Sequence, residues 1–174
     1  MKDIELRLIS ELMKNSRRSD RELAKVIGVS QPTVSRIMKK LEKEGVIKEY
    51  TMIPDFSKLG YSIMSIAFAK LKKPISEQEL EEVRRQVRQT LQTEPIPTIL
   101  AMSGMGLDAD RVIISFHESY SVYTEYLSKL KQHPLVRVED TKSFLIDLEN
   151  RNEYLPLTLS EMAAYVAYAK PQKK

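Results

Sequence analysis

The chain has no cysteine and only two histidines in 174 residues. Without cysteine there is no disulfide, no thiolate nucleophile and no thiolate metal site, and the composition suits a reducing compartment. No apolar run approaches the ~20 residues of a membrane span, and the N-terminus has no apolar signal-peptide core. A soluble cytoplasmic protein without membrane contact is expected. The HExxH, GxSxG, GxGxxG and phosphate-binding GKS/GKT motifs are missing too, and with them the common signatures of catalysis. His117 follows a predicted strand and His133 precedes Pro134 between a helix and a strand, so each reads as a surface residue. No catalytic residue, metal or cofactor is expected.

What is present begins with charge. Residues 1 to 50 hold 12 Lys and Arg against 8 Asp and Glu, and the remaining residues hold 16 against 16, so the whole net charge of +4 sits at one end. A basic end suits a phosphate-bearing partner.

Within that end, Ser19 to Ile47 has the grammar of two helices joined by a tight turn. Ser19 and Glu22 form a capping box. Leu23, Ala24 and Ile27 supply an apolar side, and Gly28 stops the helix. Ser30 caps a second helix over about Gln31 to Glu44, with Pro32 tolerated in its first turn. Val34, Ile37, Met38 and Leu41 fall on one face of it. The opposite side carries Ser35, Arg36, Lys39, Lys40 and Lys43, with Ser30, Gln31 and Thr33 at its start. A helix presenting polar groups first and cations after fits a DNA major groove, where Arg pairs with guanine, Gln with adenine, and Lys with phosphates. A solvated helix also carries lysines, so the face alone leaves both readings open. Asp3 to Asn15, capped by Asp3, predicts a preceding helix, and Arg17 and Arg18 follow it, either as backbone-phosphate contacts or as part of a plain solvated loop. Val46 to Met52 has strand character and reads as a wing or linker strand.

The run Leu23-Ala24, Gly28-Val29-Ser30, Thr33-Val34-Ser35-Arg36-Ile37, Leu41-Glu42 and Gly45-Val46-Ile47 resembles the DNA-binding domain of the Lrp/AsnC regulators. The likeness continues through Lys48-Glu49-Tyr50-Thr51 to Pro54-Asp55 and Lys58-Leu59-Gly60, so it covers about the first third of the chain. The resemblance implies a transcriptional regulator whose second domain dimerises and binds an amino acid or related effector.

From Ser62 the pattern changes to strand, helix, strand, strand, helix, strand. That is the order of a ferredoxin-like split βαβ unit, an antiparallel sheet with both helices on one face. The other face needs water or a partner, and Ile63, Ile66, Ile99, Ile113 and Phe144 point to a second copy of the chain. Between the second and third strands, Ser103 to Asp110 departs from the short Gly-x-x-Asp turn of the family. Gly104, Gly106, Asp108 and Asp110 are its candidate effector residues, and the competing reading is a plain hairpin turn. A C-terminal helix near 158–169, expected to pack across the sheet or on a dimer partner, is a second departure.

The expected architecture is α+β. A winged-helix-like helix-turn-helix domain spans 1–53, a linker 54–61, and a ferredoxin-like dimerisation and effector domain 62–149. The C-terminal extension occupies 150–174. The expected function is sequence-specific transcriptional regulation by a homodimer or larger even oligomer on double-stranded DNA, modulated by a small molecule. The alternatives are a helix-turn-helix interaction module without a DNA target, and a tetrapyrrole-processing enzyme of the same layout, which has no need of Arg36, Lys39, Lys40 and Lys43.

Overall fold

The computed structural model describes residues 1–71, 76–93, 95–132, 138–150 and 155–168. Pro74, His133, Pro134 and the tail Lys170 to Lys174 lie outside the described residues. The chain divides into two compact units, Met1–Pro54 with Glu153–Lys174, and Asp55–Asn152.

The first unit is built on three helices, α1 (Asp3–Lys14), α2 (Asp20–Ile27) and α3 (Gln31–Lys43). Leu8 and Leu12 of α1, Leu23, Ala24 and Ile27 of α2, and Val34, Ile37 and Leu41 of α3 form one buried core. Local chemistry sets the ends. The Glu22 amide donates to Ser19 Oγ at 3.3 Å while the Ser19 amide donates to Glu22 Oε2 at 2.7 Å, closing the expected capping box. Gly28 takes φ +76°, a region open to residues without Cβ, and its amide and that of Val29 both donate to the Ala24 carbonyl. Gly45 does the same after α3 at φ +68°, where the Val46 amide donates to the Leu41 carbonyl.

Three local expectations are corrected. Asp3 is the first helical residue rather than the cap of α1; Glu5 reaches back instead, accepting from the Lys2 amide at 2.7 Å. Ser30 holds the cap position of α3, but its hydroxyl bonds Thr33 Oγ1 at 2.9 Å rather than a backbone amide. Val46 to Met52 forms no strand. It has β-compatible residues, but side chains hold it: Ser16 Oγ donates to the Thr51 carbonyl and Tyr50 Oη to Glu42 Oε1, both at 2.8 Å.

The C-terminal helix α6 (Ser160–Tyr168) completes this unit. Ala163 is fully buried and its carbonyl accepts from Ser10 Oγ of α1 at 2.8 Å, an equally buried hydroxyl. The small side chains at both positions let the helices approach closely. The helix thus packs on α1 of its own chain, rather than across the sheet as expected.

The second unit opens with a 3-10 turn, Phe56–Leu59, inside the stretch expected to be linker. Phe56 stacks on Phe116 with ring centroids 3.7 Å apart, so the turn is part of the folded unit. The elements are β1 (Ile63–Leu71), α4 (Glu77–Thr93), β2 (Thr98–Gly106), β3 (Ala109–His117), α5 (Tyr120–Lys131) and β4 (Val138–Asp147). The strands form one sheet in the order β2-β3-β1-β4, antiparallel throughout, which is the ferredoxin-like arrangement.

Register decides which residues meet the helices. On one face Ser65, Ala67 and Ala69 of β1 lie beside Ile113, Ser115 and His117 of β3, all buried. The rings of Tyr123 and Tyr126 of α5 contact His117 there. The open face carries a row through all four strands, Leu100, Ile114, Ile66 and Phe144, followed by Met102, Val112, Phe68 and Lys142. Ile66 and Phe144 are where the open-face expectation put them. Ile63 and Ile113 are not: their parity turns them to the helix-covered side, and Ile113 is buried. Ile99 sits at the register shift between Thr98 and Leu100.

His117 is fully buried, hydrogen-bonded to Ser115 Oγ through Nε2 at 2.8 Å, and not the surface residue the sequence suggested. Burial holds its imidazole below the ordinary 6.5, against a weak opposite pull from Glu118. The unfolded chain therefore takes up this proton first as pH falls. The stabilisation from neutral His117 is complete above about pH 6.5 and is lost as pH falls toward the folded value. Thermal unfolding followed from pH 7.5 to about 5.5 should show a falling Tm that is flatter in His117→Gln.

Candidate nucleic-acid interface

The buried stripe Val34, Ile37 and Leu41 fixes the rotation of α3 about its axis. At 100° per residue, the side opposite that stripe is centred on Pro32, Arg36, Lys39 and Lys43. All four are exposed, as are Ser30 and Gln31 at the start of the helix, whereas Thr33 and Ser35 are half-buried on its flanks. Arg36, Lys39 and Lys43 form no ion pair or hydrogen bond among the described residues. Their charges are available to an external anion. Gln31, Ser35 and Arg36 occupy the first turns, where a groove-bound helix reads base edges, and Lys39 and Lys43 follow where cations meet phosphate.

Lys40 stands apart from this set. Its ammonium lies 2.7 Å from Glu5 Oε1 and 3.8 Å from Glu44 Oε1. The Glu5 side chain is 5% exposed, and its second oxygen takes the Lys2 amide. The Lys40 hydrogen bond, then that of the Lys2 amide, hold the Glu5 carboxyl below the usual range. Sequence reasoning missed Glu5 because the two residues are 35 positions apart on different helices. The arginines after α1 divide likewise. Arg18 pairs with Glu11, which also holds Lys14 at 2.7 Å, while Arg17 is exposed. Tyr50, pushed up to about 12 by partial burial and then by Glu42, ties the chain leaving α3 back to that helix.

In the second unit the stretch Ser103 to Asp110 is mostly strand. Only Leu107 and Asp108 turn, with φ of 55° and 56°, between the paired residues Gly106 and Ala109. Two positive φ values make this a two-residue hairpin whose twist matches the strands. The candidate effector residues are therefore split. Gly104 and Gly106 line a hollow of about 300 Å³ with Phe68, Met105 and Arg111. Asp108 is engaged by Lys70 Nζ at 2.7 Å, which holds its carboxyl below the ordinary range. Asp110 accepts from the Leu71 amide at 3.3 Å and lies 3.6 Å from Arg111 Nη1. Among the described residues, no group of three or more His, Cys, Asp or Glu is placed to hold a metal ion. No described helix is long and apolar enough to cross a membrane.

A short-turned helix pair presenting a free basic face, joined in one chain to a ferredoxin-like unit, is the build of a helix-turn-helix transcriptional regulator. Comparison with known proteins bears this out. Residues 1–48 match the family model for winged helix-turn-helix DNA-binding domains. An uncharacterised helix-turn-helix transcriptional regulator of Pyrococcus abyssi is 30% identical over 137 residues, 78% of this chain and 88% of its own length. The regulator LrpC of Bacillus subtilis is 44% identical over 69 residues, 41% of this chain and 48% of its own. The solved structure of LrpC matches at 27% identity with a TM-score of 0.65, covering 84% of this chain and 94% of that one. An AsnC family regulator of Agrobacterium tumefaciens shares the fold, with a TM-score of 0.69 at 18% identity over 93% of this chain and 99% of that one. The chain belongs to the Lrp/AsnC family of transcriptional regulators.

Proposed function

We propose that this regulator binds double-stranded DNA sequence-specifically as a homodimer, with α3 of each protomer in a major groove. The observation that carries the reading is the outer face of α3, where Arg36, Lys39 and Lys43 are exposed and, among the described residues, unpaired on a helix whose rotation the core fixes. Gln31, Thr33, Ser35 and Arg36 face the bases, and Ser30, Lys39 and Lys43 face the backbone. Two-fold symmetry then sets half-sites about one helical turn, roughly 10 bp, or a multiple of it apart. Selection from sheared genomic DNA with non-specific competitor tests this, and recovery of no two-fold symmetric site would sink it. Arg36→Ala should cost about 1 to 3 kcal/mol and relax one base position in the selected site, whereas loss of a phosphate contact weakens all sequences alike.

The dimer contact is assigned to the open sheet face, where Leu100, Ile114, Ile66 and Phe144 make an apolar row with Met102, Val112 and Phe68 beside it. An effector such as an amino acid fits the hollow at Gly104, Gly106 and Arg111, whose volume is at the lower end for small-molecule sites. Asp108 is held by Lys70, whereas Arg111 keeps donors beyond the one on the Asp110 carbonyl, so Arg111 and the glycine backbone are the better candidates to meet it. A structural neighbour from Neisseria meningitidis was solved as a complex with L-methionine. Regulation is favoured over catalysis because His117, the histidine among the described residues, is enclosed by Ser115, Tyr123 and Tyr126.

A further inference from the structure

We infer that Glu5 withdraws Lys40 from the DNA-facing charge of α3, so that Lys40 is a positioning residue of the interface and not one of its phosphate contacts. The inference rests on the proposed role of α3 and sharpens it.

Position on the helix gives the first argument. Lys40 lies about 90° from the centre of the outer face, on the flank next to Ile37 and Glu44, whereas Lys39 and Lys43 lie near that centre. Its partners give the second. The ammonium sits between two carboxylates, at 2.7 Å from Glu5 and 3.8 Å from Glu44. Glu5 is nearly enclosed, with one oxygen on Lys40 and the other on the Lys2 amide at 2.7 Å. A phosphate that captured Lys40 would leave a buried carboxylate without its counter-charge, which costs far more than an exposed contact returns. The pair also joins two helices. Glu5 is in the first turn of α1 and Lys40 in the last turn of α3, so the bond crosses between the two helices toward the C-terminal end of the recognition helix. The apolar core sets the rotation of α3, and this directional contact adds a polar constraint on its tilt.

The consequence is a count. Of the four cations on α3, three are free to release counterions from DNA. Each phosphate neutralised steepens the dependence of log K on log salt by about 0.9.

The test is a salt series with the full-length protein on sheared double-stranded DNA, followed by fluorescence anisotropy. Lys43→Met should flatten the slope by about 0.9. Lys40→Met should leave the slope at its native value, lower the Tm, and reduce the ratio of affinities for a selected duplex and an unrelated one several-fold. That ratio should be unchanged in Lys43→Met, because a lost phosphate contact acts on all sequences equally. Lys40→Gln retains an amide donor for Glu5 without the charge, so it gives the same slope reading if the methionine variant folds poorly. Glu5→Gln should steepen the slope by up to about 0.9 by releasing Lys40, and the gain should vanish in the Glu5→Gln/Lys40→Met double variant. The inference is overturned if Lys40→Gln flattens the slope as much as Lys43→Met does, or if Glu5→Gln leaves it native. If Lys43→Met itself leaves the slope unchanged, the reading of the outer face falls and this inference with it.

Discussion

Leu41→Ala should abolish specific DNA binding by unfolding the first unit, not by touching the interface. Leu41 is fully buried among Leu8, Leu23, Val34 and Ile37, and its backbone carbonyl accepts from the Val46 and Ile47 amides that close α3. Truncating a buried leucine costs about 3 to 5 kcal/mol, transfer and cavity terms together. A small three-helix core has little more stability than that. The result expected is loss of the far-ultraviolet helical signal of this unit at a temperature where the sheet unit is still folded, seen as a split thermal transition by calorimetry. A single unshifted transition with intact binding would contradict the assignment of this core.

Phe144→Asp should convert the proposed dimer to monomers. Phe144 is 65% exposed in the single chain, so an aspartate there costs the isolated fold little, while in a face-to-face dimer it meets the Leu100, Ile114 and Ile66 row of its partner. Burying an uncompensated carboxylate costs several kcal/mol, about 3 or more, which is a hundredfold or more in dimer dissociation. Sedimentation equilibrium measures it. DNA affinity should fall with the dimer, since one half-site contact no longer helps the second. A variant that stays dimeric would show that the sheet face is not the contact.

What was legible in the sequence follows the range of the interactions involved. The Ser19 and Glu22 capping box, the Gly28 turn and the stripe Val34, Ile37, Leu41 are written within one or two turns of chain, and each formed as read. So did the strand and helix order of the second unit. The errors came where the deciding partner is distant. Which of Ile63 and Met64 faces the helices depends on how β1 registers with β3, and alternation fixes a residue's neighbours on its own strand but not the side they share. Ile63 and Ile113 therefore fell on the wrong face. The glycines at 104 and 106 left an effector turn and a plain hairpin both open; the strands run on to a two-residue turn, with Leu107 accepting a left-handed dihedral that its side chain disfavours. For the candidate interface, helical spacing was enough to collect Arg36, Lys39 and Lys43 on one side. It was not enough to show that Lys40 pairs with Glu5, because nothing near position 40 marks that residue as its partner.

The hydrogen bond from Ser10 to Ala163 spans 153 positions. During synthesis the second and third helices can pack on α1 early, but the side of α1 that holds Ser10 waits until the whole sheet unit has left the ribosome. The DNA-binding unit thus begins to fold before the sheet unit and is completed after it. A nascent chain has its helix pair before it has its sheet, and α6 closes that interval.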